Sequence, residues 1–428
     1  MSSRPQRHCA EIRETIPRGA QFPCAKGFVQ NAPAKTMDDS TPVALQQEPA
    51  LFPEVGDRLR GDHDRGILPS QALATLVEHG YISGEPAIEP AQVQPASIDL
   101  RLGPVAHRVR ASFLPGARAS VADKLRELQM HRIDLTRPAV FDQGCVYLVP
   151  LVEQLRLPEY TSARANPKST TGRLDVFARL IADYSNEFDR VEGGYRGPLY
   201  LEVVPGAFSV VVRAGDRLNQ LRLVRGESAS DDGQLKQLHQ QQTLTYSDDG
   251  VPGPAHVANG LWLSVDLAGA DHRTIGYRAK SHAPLVDFGK VGGYRVADFW
   301  DVIPRPPQPS LLLNPGDFYI LASRERIRIP QTHAAELVPY DASAGEFRIH
   351  YAGFFDPGFG EGPGVPGAKA VLEVRAHGVP FVLEDGQRVG RLVYERLTAA
   401  PDKSYGPAIG SSYQGQGLLL GKQFARED

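Results

Sequence analysis

The chain repeats itself. Four blocks of its first half return in the same order in its second half. FDQGCVYLVPLVEQLRLP, ending at Pro158, is answered by LNPGDFYILASRERIRIP, ending at Pro330, with Gly144 and Gly316 in the same place within them. ASIDLRLG (96–103) is echoed by LSVDLAG (263–269), and GGYRG (193–197) with its following YLEVV by PGFGEG (357–362) with VLEVR. AGDRLNQLRL matches DGQRVGRLVY, and Glu202 to Gly215 spans the same distance as Glu373 to Gly386. Generic strand patterning would explain the alternation, but not the shared glycine and glutamate spacing. The chain is therefore two copies of one unit.

Each copy reads as β-rich. Segments such as VYLVPL, YLEVV and FSVVVRAGDRLNQLRLV alternate apolar and polar residues, and 42 Gly and 35 Pro suit many short strands joined by turns. One helix is expected in GILPSQALATLVEHGYI (Gly66 to Ile82), with Ser70 as its cap, Leu73, Leu76 and Val77 on one face, and Gly80 as its stop. The copies span 58–228 and 258–428. A polar, Gly/Pro-flanked stretch over 229–257 reads as a linker. Residues 1–57, rich in Pro, Gln, Ser and Thr, are expected to be disordered, and Met37 is an alternative start.

Bulk chemistry narrows the function classes. A net charge of -3 argues against a nucleic-acid polymer as partner, though a free nucleotide needs only a few local cations. No apolar run is long enough for a membrane span, and the basic first residues lack a secretory apolar stretch. Three cysteines (Cys9, Cys24 and Cys145) make no disulfide framework and fit a cytoplasmic protein. A zinc deaminase needs H-x-E with P-C-x-x-C, but Pro23-Cys24 continues as Ala-Lys-Gly, so no zinc is expected.

Three segments carry chemistry. In ANPKSTTGRLDVF, Lys168, Ser169, Thr170, Gly172 and Arg173 offer hydroxyls, cations and a tight turn to a phosphate. On composition alone the same residues suit a solvated loop. Glu202 alternates with Leu201 and Val203 on a strand, where partial desolvation would raise its pKa toward that of a general base. Taken alone, it is as readily a carboxylate paired with an arginine across the barrel, Arg173 being one candidate. The C-terminal KSYGPAIGSSYQGQGLLLGKQF places Tyr405, Tyr413 and Gln416 in a glycine-rich tail, a flexible end or a lid with amide and aromatic groups for a pyrimidine.

Taken together, these segments resemble the dCTP deaminase family of the dUTPase-like superfamily. PKSTTGRL is similar to that family's R-S-S-L-A-R motif, with Lys168 in place of the first Arg. GGYRGPLYLEV resembles its D-P-G-W-x-G…L-E block, and YGPAIGSSYQGQG its closing segment. The resemblance implies two tandem dUTPase-like distorted β-barrels with a few short helices, mainly β. It implies hydrolytic, metal-independent deamination of dCTP to dUTP and ammonia, with Glu202 as general base and Ser169 and Arg173 assisting. Lys168, Thr170, Ala182, Tyr405, Tyr413 and Gln416 would bind substrate. Mg²⁺ would accompany the triphosphate, dTTP would be an inhibitor, and a homo-oligomer, with a trimer favoured, would complete the sites.

The second copy departs from the motif. It keeps Glu373 and an FDPGF turn, but the shared offset puts Asp341 and Gly345 where Ser169 and Arg173 stand. One copy would hold the catalytic set and the other lend the lid. Two alternatives remain at this point. One is a dUTPase or bifunctional deaminase–dUTPase, with Glu192 as the acid of GGYRG. The other is a non-catalytic nucleotide-binding regulator.

Overall fold

The computed structural model describes residues 65–268, 273–338, 347–349, 353–362, 364, 366–376, 378–406, 413 and 415–426. The stretch 1–57, Asp341 and Gly345 lie outside them.

Alternation produces the first barrel. Strand Arg196–Pro205 pairs with Val146–Arg156 on one side and Val176–Ala182 on the other. Its Leu199, Leu201 and Val203 are fully buried in the core. Facing this sheet, Asn219–Arg225 lies between Thr161–Pro167 and Ile98–Leu100. The second copy repeats the plan: Phe318–Ile327 pairs with Ala368–Ala376, and Arg388–Arg396 lies between His333–Val338 and Leu261–Ser264. Registers agree as well. Glu202 stands opposite Leu148 as Glu373 stands opposite Ile320, and Leu223 opposite Ala163 as Tyr394 opposite Ala335. Gly144 and Gly316 both take positive φ (71° and 81°) at matched turns. The Tyr147 and Tyr319 hydroxyls accept matched backbone N–H groups at 2.9 and 3.0 Å.

One block of the repeat is out of register with its sequence echo. The Glu153 carboxylate accepts the Arg101 backbone N–H at 2.8 Å, and the Glu325 carboxylate accepts that of Ser264 at 2.9 Å. Leu102 bridges Leu151 as Val265 bridges Ser323. Ser264 is thus the counterpart of Arg101, whereas the ASIDLRLG/LSVDLAG match paired it with Ser97. Short apolar–acid–apolar words recur easily in strands, and it is the partner strand that fixes register.

Helix Ser70–Glu78 forms with Leu73 and Leu76 buried, but Ser70 is its first residue and Pro69 occupies the cap. The stretch 229–257, expected to be a linker, contains helix Asp232–Gln242, started by an Asp231–Gln234 capping box. Its Leu235 and Leu238 are buried in the second core, and Thr245–Tyr246 pairs with Phe318–Ile327. Polar spacing hid a two-leucine stripe.

The copies are packed, not strung. Val286–Asp287 of the second copy extends the Val210–Val212 edge of the first in parallel. Phe208 packs edge-on against Phe299 and Trp300, and Phe424 of the tail joins the same cluster at 5.4 and 5.8 Å. A charge network also crosses the join. Arg164 pairs with Glu336 and Glu395, and Arg222 lies 3.3 Å from Asp356 and 3.5 Å from Glu395. Pairing is what makes such charges tolerable away from water.

Candidate active site

Between the copies lies a polar cavity of about 370 Å³. Its floor is the single helical turn Ser169–Gly172, tied to the barrel by Lys168 N–H and Thr171 Oγ1, which both donate to the Leu218 carbonyl (2.9 and 2.8 Å). The turn exists because Lys168 leaves the strand in extended conformation and the next residues close on Lys168 and Ser169 carbonyls. Ser169 stays exposed at the mouth, while Thr170, Gly172 and Arg173 are buried.

Over this turn comes the second copy. The Glu373 carboxylate approaches Gly172 so closely that a Cβ there would meet Oε2 at 2.4 Å. Only glycine permits that approach. Burial pushes the Glu373 carboxyl up to about 8, against the opposing pull of Arg173 and with Asp175 adding to the rise. Glu373, Ser169 and Arg173 all line the cavity.

Glu202 does not. It lies on the corresponding strand of the first barrel, 1 % exposed, directly across from Arg179. Arg179 Nε and Nη2 both donate to its Oε1, the Nε bond at 3.1 Å, and the guanidinium stacks on Phe188 at 4.0 Å. The ion-pair alternative for Glu202 is therefore what the fold uses, with Arg179 and not Arg173 as partner. Ala182 also misses the cavity. It is a buried core residue paired with Leu199.

The tail closes over the turn. Arg173 Nη2 donates to Gln416 Oε1 (2.8 Å), and Nη1 donates to the Leu419 carbonyl (2.9 Å). Its guanidinium lies 3.8 Å from the centre of the Tyr413 ring. Arg173 Nε is buried with no hydrogen-bond partner among the described residues. The Thr170 hydroxyl, expected at a phosphate, is 2.9 Å from the Tyr413 hydroxyl. Tyr405 packs on Phe359 at 5.5 Å, and burial pushes its phenol up. Lys168 is paired with the buried Asp99.

Sequence reading missed Glu373 as a neighbour of the Ser169–Arg173 turn, and also Asp356, Arg217 and Lys422, which line the same cavity. Burial, and next the charge of Lys168, pull the Lys422 ammonium down. Lys168, Arg217 and Lys422 give this cavity three cations, which favour an anion there. A lysine inside the glycine-rich tail was the available signal for Lys422. Nothing local marked Arg217, which pairs with Glu89.

Fused barrels with a cavity assembled across them define a tandem dUTPase-like protein. Residues 64–227 match the family model "2'-deoxycytidine 5'-triphosphate deaminase (DCD) N-terminal domain", and 231–424 that of the C-terminal domain. The crystal structure of 2'-deoxycytidine 5'-triphosphate deaminase from Agrobacterium tumefaciens superposes with a TM-score of 0.75 at 47% identity, covering 78% of this chain and 99% of that one. This chain belongs to the dCTP deaminase family.

Shorter relatives match part of it. "dCTP deaminase, dUMP-forming" of Halobacterium salinarum is 35% identical over 109 residues, 24% of this chain and 52% of the relative. "dCTP deaminase" of Haloarcula marismortui is 36% identical over 109 residues, 24% of this chain and again 52% of the relative. The chain thus spans about half the length of the curated relatives it matches.

Proposed function

We propose that this protein hydrolytically deaminates dCTP to dUTP and ammonia in the cavity between its copies, with Glu373 as the general base. The supporting observation is the buried Glu373 carboxylate against the Ser169–Arg173 turn, its pKa pushed up to about 8. A carboxyl poised near the working pH takes a proton efficiently from a water attacking cytosine C4, then returns it to the departing amine. Ser169, exposed at the mouth, would position that water. Arg173, its orientation fixed by Gln416 and the Leu419 carbonyl, would direct its unpartnered Nε at the ring or the water.

Lys168, Arg217 and Lys422 would meet the triphosphate. Magnesium would ride on the phosphate oxygens and offset their charge, since the cavity's Asp99 and Asp356 are engaged by Lys168 and Arg222. Tyr405, Tyr413 and Gln416 would close over the nucleotide. Three cysteines and the nucleotide chemistry fit the cytoplasm; among the described residues no helix is long and apolar enough to cross a membrane.

A second reading has one observation in its favour. Asp356 lines the same cavity, buried, with its pKa raised first by that burial. It occupies in the second copy the place of Glu192: Tyr195 and Phe359 carbonyls accept matched N–H groups, one turn further along, from Leu157 and Ile329. An acid there would serve release of diphosphate from dUTP, giving dUMP. The test is to incubate the protein with dCTP and Mg²⁺ and separate the products. Ammonia with dUTP supports deamination alone, and ammonia with dUMP and diphosphate supports both steps. No ammonia sinks the proposal.

A further inference from the structure

We propose that Asp175 and Arg375 are a positioning pair that holds Glu373 in place against Arg173 across the join of the two copies. The role rests on Glu373 being the base.

The two copies present opposite charges at the same spacing. The first offers Arg173 and, two residues on, Asp175; the second offers Glu373 and, two residues along its strand, Arg375. Residues two apart on a strand project from one face, so Glu373 and Arg375 both reach the first copy. Arg375 Nη2 donates to Asp175 Oδ2, and Nη1 to the Gly316 carbonyl, tying the strand on both sides of the join.

Asp175 is placed there at a cost. It ends the Ser169–Gly172 turn at φ 56°, a left-handed conformation that glycine normally fills. Its side chain is fully buried, its N–H donates to the Gly172 carbonyl at 2.8 Å, and its own carbonyl accepts Gly206 N–H at 2.6 Å. Gly206 has no room for a side chain, because a Cβ would lie 2.4 Å from Asp175 Oδ2. A strained non-glycine residue beside a catalytic cavity is a sign of function. The consequence is rigid. With Arg375 fixed on Asp175, Glu373 has little freedom to drift from Gly172.

Charge enters too. Asp175 raises the Glu373 pKa and Arg173 lowers it. The other ionisable groups lining the cavity are Asp99, Lys168, Arg217, Asp356, Tyr405, Tyr413 and Lys422.

The test compares Asp175→Asn, Arg375→Met and Arg375→Lys with the wild type. It measures kcat, the pH at which the rate rises, and dCTP affinity by calorimetry in a Glu373→Gln background. Asp175→Asn and Arg375→Met should each lower kcat about 10–100-fold while changing affinity less than about threefold. Their rising limbs should move in opposite directions. Asp175→Asn removes a negative neighbour and shifts it to lower pH; Arg375→Met leaves Asp175 uncompensated and shifts it higher. Arg375→Lys keeps the charge without the fork, so kcat falls and the limb stays near its wild-type pH, even if the other variants fold poorly. Asp175→Asn and Arg375→Met limbs that stay put or move together, or affinity lost in step with kcat, would mark a merely structural pair and overturn the proposal. Glu373→Gln at the wild-type rate would remove the base itself and the positioning role with it. An inactive Glu373→Gln with unmoved limbs in the pair variants would remove the positioning role alone.

Discussion

Two glutamates of identical strand position have different fates, and the residue opposite decides which. Glu202 faces Arg179 across a ladder and is taken up in an ion pair. Glu373 faces a glycine of the other copy and keeps its carboxylate at the cavity. Glu373→Gln is expected to lower dCTP turnover at least about 100-fold, as loss of a general base does. Glu202→Gln should keep turnover near wild type but cost about 1–2 kcal/mol in denaturant unfolding, because Arg179 loses a charged acceptor beside Phe188. Full loss of turnover in Glu202→Gln would reverse the assignment. The pH dependence follows from the same burial. A base works unprotonated, and the Glu373 carboxyl is pushed up to about 8. The free-enzyme kcat/KM should therefore rise with pH and level off above about that value, and a profile flat from pH 6 to 9 would contradict it.

At the scale of elements, the one-turn helix Ser169–Gly172 matters more than its length suggests. It brings a serine, a glycine and the following arginine to the second copy without occupying the space that Glu373 enters. Gly172→Ala should leave the turn helical, since alanine favours helix. The added methyl would push Glu373 aside, and kcat should fall about 100-fold with little change in melting temperature. The residue types of the Lys168–Arg173 turn and of the tail were legible in sequence because each is a local spacing; that Tyr413 and Gln416 meet the turn is a tertiary contact. Register was less so. The LSVDLAG echo drew Ser264 to Ser97, whereas the Glu325 carboxylate on the neighbouring strand gives it the place of Arg101. The helix at Asp232–Gln242 escaped because two leucines among glutamines are a faint stripe.

Across the whole molecule, the join supplies what neither barrel has. Ser169 and Arg173 come from one copy, Glu373, Asp356 and the tail from the other, and the aromatic cluster around Trp300 with Phe424 fastens them. An oligomer was expected on the ground that a single barrel leaves its site incomplete; within this chain residues of both barrels line the cavity. Mixing full-length Arg173→Ala with full-length Glu373→Gln should restore no activity, because each cavity draws both groups from one chain. Recovery of a quarter or more of the wild-type rate, the share expected from random exchange of halves, would show that sites form between chains.

The sequence by itself determined the repeat, the β-rich character, the turn with its serine and arginine, and the aromatic and amide residues of the tail. All of these are periodicities and short spacings, and they act through local backbone geometry. Only the tertiary structure decided which glutamate meets that turn. Glu202 and Glu373 share the same strand pattern, and their environments differ: Arg179 and Phe188 of its own barrel lie beside the first, Gly172 and Arg173 of the opposite barrel, far away in the chain, beside the second. The reactivity of a carboxylate is set by its desolvation and by neighbouring charge, and for Glu373 the charge of Arg173 arrives only when the two copies pack together.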